Sequence, residues 1–143
     1  MRRLRRFLGL SPEDRRLLLR AWRLEVVIRL GLWLLPFRSV RRRVASTRHR
    51  VGPAALAEAD QRIGWAVTSA ARYVPAATCL TQALAAKVLL NDAGRQARLT
   101  IGVERDAGSL RAHAWVEGEE GVIVGDHDLE RFTVLPSIEG EVP

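Results

Sequence analysis

The sequence predicts an α+β fold: N-terminal helices followed by an antiparallel sheet of three to four strands. Three observations predict it. Apolar residues recur at helical spacing as far as Gly94, they alternate with polar ones after it, and only short turn signals divide the alternating stretches. With 143 residues, 48% of them apolar and 27% charged, the chain is sized and composed for one hydrophobic core.

The first long helix starts at Ser11, with Ser11 as N-cap, Pro12 at the first helical position and Asp14 completing a weak capping box. Residues 17–35 are the most apolar stretch, but Arg20, Arg23, Glu25 and Arg29 fall within it. Each such charge is costly at the centre of a bilayer, so no transmembrane segment is expected. Arg16, Arg20 and Arg23 recur at helical spacing, with Leu17, Leu24, Ile28 and Leu35 available to the buried side, and Pro36 ends the helix. Residues 38–50 read as a basic connector, a loop or frayed helix, closed by Gly52 and Pro53. A second helix runs over 54–73, with Leu56, Ile63, Val67 and Ala70 as its apolar repeat, and stops before Pro75. A third begins near Thr78, carries Leu80, Leu84 and Val88 on one stripe, and stops at Gly94, with Cys79 in its first turn.

Beyond Gly94, Leu99, Ile101 and Val103 alternate with Arg98, Thr100 and Gly102 in a strand. Asp106, Ala107 and Gly108 supply a turn, residues 110–117 and 121–125 make two further strands, and 132–135 adds a short last one. Trp22, Trp33, Trp65 and Trp115 each lie in an apolar segment and are expected in the core rather than on a base-stacking platform.

Charge divides the chain. Residues 1–50 hold fifteen arginines against Glu13, Asp14 and Glu25, a balance of +12, and the remainder holds eight basic residues against thirteen acids, a balance of −5, which together give the net +7. Residues 1–50 are therefore expected to form a basic helical arm and residues 51–143 the core. Such an arm fits a nucleic acid, an anionic membrane surface or an acidic protein partner. The single cysteine excludes an internal disulfide framework and any zinc site built on paired thiolates. No signal peptide is visible in the first residues, so a cytoplasmic location is expected. No P-loop, dinucleotide fingerprint or G-x-S-x-G elbow is present, and no cofactor is expected. His113, His127, Asp126 and Asp128 could be drawn as a metal cluster, but no spaced ligand pair exists, and Asp126 and His127 point to opposite faces if both are in strand. His49, in the arginine-rich connector, is expected to have no catalytic role.

Three residues could carry chemistry together: Cys79 at a helix start, His113 inside the second strand and Asp126 at the end of the third. A thiol nucleophile needs its thiolate favoured, and both a helix N-terminus and a nearby imidazolium do this. With a hairpin turn centred between Glu119 and Glu120 and no bulge, strand arithmetic sets His113 opposite Asp126, where the carboxylate would fix the imidazole tautomer. That is the arrangement of a nucleophile, a base and an orienting group. Each member also has a plain structural reading: Cys79 as a small core residue, His113 as a structural histidine, Asp126 as turn chemistry.

Val74-Pro75, Cys79-Leu80 opening an Ala- and Leu-rich helix, Ile101-Gly102-Val103, the string His113-Ala114-Trp115-Val116-Glu117 and Asp126 resemble the lasso-peptide biosynthesis B protein in its stand-alone leader-peptidase form. That family is a transglutaminase-like branch of the papain-type cysteine proteases. The resemblance covers most of the chain. It implies a transglutaminase-like core and a protease that removes the leader from a ribosomally made precursor peptide, so that a separate asparagine-synthetase-like enzyme can close the macrolactam ring. Carried over by position, Cys79 is the nucleophile, His113 the general base and acid, and Asp126 the orienting carboxylate. A threonine is implied as the penultimate leader residue. The family's leader-binding recognition element, fused or separate, is expected here as a partner in trans, and no nucleic acid is expected. The interval from His113 to Asp126 is one residue longer than is common, and Gln82 stands where a basic residue is frequent. Two other readings remain: a non-catalytic adaptor binding nucleic acid or a membrane surface through its arginines, and an acyltransferase using the same three residues.

Overall fold

A computed structural model describes residues 2–46 and 56–136, with the side chains of residues 5–44 and 59–136. His49, Gly52 and Pro53, for which the sequence sets expectations, lie outside these residues, as does the side chain of Leu56. Among the described residues are five α-helices, α1 (Arg2–Leu8), α2 (Pro12–Leu34), α3 (Phe37–Ser46), α4 (Leu56–Ala71) and α5 (Cys79–Asp92). They are followed by β1 (Arg98–Asp106), β2 (Ser109–Gly118), β3 (Gly121–Val124), a 3-10 turn at Leu129–Arg131 and β4 (Thr133–Val134). The fold is α+β, with helices first and then one four-stranded antiparallel sheet.

α2 begins as its cap predicts. The Ser11 hydroxyl accepts from the Asp14 amide at 3.1 Å and donates to the Asp14 carboxylate at 2.9 Å. Arg62 Nη2 of α4 reaches the same carboxylate at 2.6 Å, and with Ser11 it holds Asp14 below the usual carboxylate range. Ala21, Glu25 and Ile28 form the buried side of α2, which packs on α4 and α5; Leu17 and Leu24 are partly buried there, and Leu35 is exposed. The basic run after Pro36 is a helix rather than a loop, because Val40 and Val44, four residues apart, enter the same core, and arginine is itself a good helix former.

α5 is the central helix. Thr81, Ala83 to Ala86 and Val88 to Leu90 are all buried, so it is enclosed on every side, by α2, α4 and α3 and by the sheet. A bidentate ion pair ties α4 to the connection after α5, with Arg95 Nε and Nη2 each donating to Asp60 at 2.8 Å; both side chains are buried. The carboxylate raises the Arg95 pKa further above its usual value.

Ala107 and Gly108, with φ of 44° and 87°, close the β1–β2 hairpin. The sheet order is β3-β2-β1-β4, so β1 to β3 form a meander and the chain then crosses to pair β4 with the free edge of β1. Cross-strand partners share a face. Leu99, Ile101, Ala114 and Val116 therefore point into the helical core, whereas Gly102, Glu104, Arg111, His113 and Trp115 point to the other face, which the crossing segment covers. Of the four tryptophans only Trp115, 2% exposed, is in the core, which corrects the expectation for Trp22, Trp33 and Trp65. Trp33 is turned away from the buried residues of α2, and Trp22 stands at the margin, its Nε1 donating to the Tyr73 carbonyl at 3.4 Å.

Candidate active site

Cys79 is the first residue of α5. Thr78, in extended conformation, caps the helix, its hydroxyl accepting from the Thr81 amide at 3.3 Å. The Cys79 amide is thus among the first-turn N–H groups with no intrahelical acceptor, in the positive field of the helix terminus. Its side chain is half-buried against the edge of the helical core.

His113 is held from three sides. Its Nε2 lies 2.8 Å from the Gly125 carbonyl oxygen, and because a carbonyl can only accept, Nε2 carries the hydrogen and Nδ1 is left as the basic nitrogen. Trp115 stacks at 5.9 Å between ring centroids and Phe132 lies tilted at 5.2 Å. Two glycines make this fit possible. A Cβ on Gly102, the cross-strand partner of His113, would lie 2.8 Å from Phe132 Cβ and 3.0 Å from the Trp115 ring. Gly125 has φ of +89°, and a Cβ there would meet Trp115 Cβ at 2.8 Å.

The direct facing of His113 and Asp126 does not occur. Gly118 pairs with Gly121 and Glu117 with Val122, but Val116 pairs with Val124, so a bulge at Ile123 absorbs one residue. The ladder then ends at Val124, and the His113 ring meets the backbone of Gly125, one residue before Asp126, whose side chain is exposed. Among the described residues, no hydrogen bond joins His113 to the Asp126 carboxylate or Cys79 to His113, and the His113 ring is on the sheet face opposite Ala114 and Val116.

A cleft of about 170 Å³ opens beside His113, bordered by Glu104, Arg111, His127, Asp128, Arg131 and Phe132. Glu104 is buried and takes Arg131 Nη2 at 2.7 Å and Arg111 Nη1 at 3.6 Å. One carboxylate therefore faces two guanidinium groups, and with Asp128 the lining carries two formal charges of each sign. Glu104 and Arg131 were not singled out as neighbours of His113, because the crossing segment that completes the cleft has no local signal beyond the turn residues at 125–128; His127 and Asp128 were grouped with His113 only as possible metal ligands, and both line the cleft. Among the described residues, no group of three or more His, Cys, Asp or Glu side chains is placed to hold a metal ion.

A helical layer packed on an antiparallel sheet, with a capped cysteine opening the central helix and a ring-clamped histidine on the second strand, has the form of a transglutaminase-like core. The chain belongs to the Transglutaminase-like superfamily, whose profile matches residues 22–137. That superfamily includes cysteine proteases and acyltransferases. The match begins in α2, which shares one core with α4 and α5. No curated protein and no solved structure is significantly similar to the chain.

Proposed function

We propose that the protein is a cysteine protease that removes the leader peptide from a lasso-peptide precursor before a separate asparagine-synthetase-like enzyme closes the macrolactam ring. The observation that carries the proposal is the His113 Nε2 bond to Gly125, which leaves Nδ1 as the nitrogen able to exchange a proton with a thiol. The superfamily supports thiol-dependent chemistry, and the string from His113 to Glu117 supports the narrower reading.

In this mechanism Cys79 Sγ, having given its proton to His113 Nδ1, attacks the carbonyl at the leader–core junction. The tetrahedral oxyanion takes the Cys79 backbone N–H. His113 then protonates the departing core amine, leaving the leader as a thioester on Cys79, and water activated by His113 releases it. The Gly125 carbonyl orients the imidazole through Nε2–H, and Asp126 beside it acts through its negative charge, which favours the imidazolium formed when the thiol proton is taken up. The mechanism requires Sγ and Nδ1 to meet in the substrate complex, a rearrangement larger than the tightening of a formed hydrogen bond, because the ring stands on the sheet face away from the helical core that Cys79 packs against. A separate leader-binding protein presents the precursor.

Mass spectrometry of precursor, leader-binding partner and purified protein tests this. Cys79→Ala should lower cleavage by at least about a thousandfold, and undiminished cleavage by that variant would remove the thiol from the mechanism. Because the superfamily also includes acyltransferases, the same assay with an added primary amine decides between water and amine as acceptor: a free leader acid is the product expected.

A further inference from the structure

The outer side of α2 carries a line of exposed apolar residues that the chemistry at Cys79 does not use. Opposite the buried Ala21, Glu25 and Ile28 stand Leu19, Val27, Leu30, Trp33 and Leu34, from 47% to 79% exposed. Trp22, 40% exposed, borders the line. Leu19 and Leu34 are fifteen residues apart, or about 22 Å along the axis. A helix on the surface of a globular protein normally turns polar residues outward, and single exposed apolar residues need no explanation, but a continuous row does.

The charge around this row has one sign. Arg16 and Arg23 of α2 and Arg38 and Arg42 of α3 are exposed, and the Arg29 guanidinium sits over the Trp33 ring at 4.9 Å. Between Arg15 and Ser46 the only acidic residue is Glu25, which is buried with neither oxygen hydrogen-bonded among the described residues. The face thus combines exposed apolar side chains, a tryptophan and arginines with no acid exposed among them.

We propose that this face of α2, with the arginines at the start of α3, docks on an anionic lipid bilayer. Val27, Leu30, Trp33 and Leu34 enter the boundary between headgroups and acyl chains, and the arginines meet lipid phosphates. Three properties favour a bilayer over a protein partner. The row lies on the outside of a helix, a ridge rather than a recess, and a fluid surface accommodates a ridge without a matching groove. Tryptophan and arginine are side chains with an apolar body and a polar end, suited to the headgroup level. The uniform positive charge complements a surface of uniform negative charge. The helix lies on the bilayer and does not cross it: among the described residues no helix is long and apolar enough to span a membrane.

Cosedimentation of the full chain with vesicles tests this, comparing phosphatidylcholine alone with a mixture containing about one-third phosphatidylglycerol. Binding to the anionic vesicles is expected, with tryptophan emission shifted to the blue and affinity falling as salt is raised. The double variant Leu30→Gln, Leu34→Gln should bind about tenfold or more weakly, with circular dichroism and melting temperature unchanged, since both side chains are exposed. Arg38→Ser with Arg42→Ser should reduce binding to anionic vesicles specifically. Three outcomes overturn the proposal: no binding to anionic vesicles at low salt, equal binding by wild type and a folded double variant, or a wild-type dimer that the double variant converts to monomer, which would assign the face to a second copy of the chain.

Discussion

At Gly102 a single methyl group would disturb the two rings that clamp His113. The added Cβ would press on Phe132 and Trp115 together. Gly102→Ala is expected to lower stability by about 1–3 kcal/mol, the usual range for overpacking, and to slow cleavage as the imidazole moves; urea unfolding and turnover of the same sample check both effects. Glu25 makes a different prediction, in pH. Its carboxyl is fully buried with no hydrogen-bond partner among the described residues, and burial pushes its pKa up from 4.5 to about 8. The folded protein therefore keeps a proton that the unfolded chain gives up. Stability is full below the unfolded value of 4.5, falls as pH rises, and levels off above about 8. The loss is on the order of a few kcal/mol. Glu25→Gln should flatten this dependence between about pH 5 and about pH 9, as read from melting temperatures. Parallel curves for variant and wild type would place the dependence on another group.

At the scale of elements, the Asp60–Arg95 pair locks α4 to the connection between α5 and β1. Breaking one side of a buried pair leaves the other charge without compensation, whereas replacing both with apolar residues does not. Asp60→Asn should therefore lower the melting temperature markedly, and the double variant Asp60→Leu, Arg95→Met should recover most of the loss, a double-mutant comparison that separates pairing from packing. Neither residue stood out in the sequence, because their partnership spans thirty-five positions. The elements legible in the sequence were those with local signals: the cap at Ser11, the helix start near Thr78 with Cys79 in its first turn, the stop at Gly94 after α5, and the Ala107-Gly108 turn. α3 was legible only as a loop or frayed helix, since two valines among arginines become a helix face only when a core is present to receive them. The bulge at Ile123 was not legible, and it alone decides that His113 meets Gly125 rather than facing Asp126. A register shift of one residue leaves no mark in the alternation of so short a strand.

For the whole molecule, the order of helices then sheet followed from periodicity, but the crossing of the chain from β3 to the far edge of β1 did not. That crossing covers the outer sheet face, brings Phe132 over His113, and builds the charged cleft from residues on β1, β2 and the crossing segment. The tryptophans were misassigned for a related reason: an apolar segment shows that a helix has a face to bury, not which face, and Ala21, Glu25 and Ile28 took the inner side of α2. The central claim is that Cys79 and His113 act as one chemical unit in the folded protein. The most direct measurement is the rate at which iodoacetamide modifies Cys79 at neutral pH, compared in wild type and a folded His113→Ala variant. Ready modification of the native wild type, slowed about tenfold or more by the substitution, is the predicted result; equal rates in the two proteins, or a thiol that reacts only after unfolding, would contradict it.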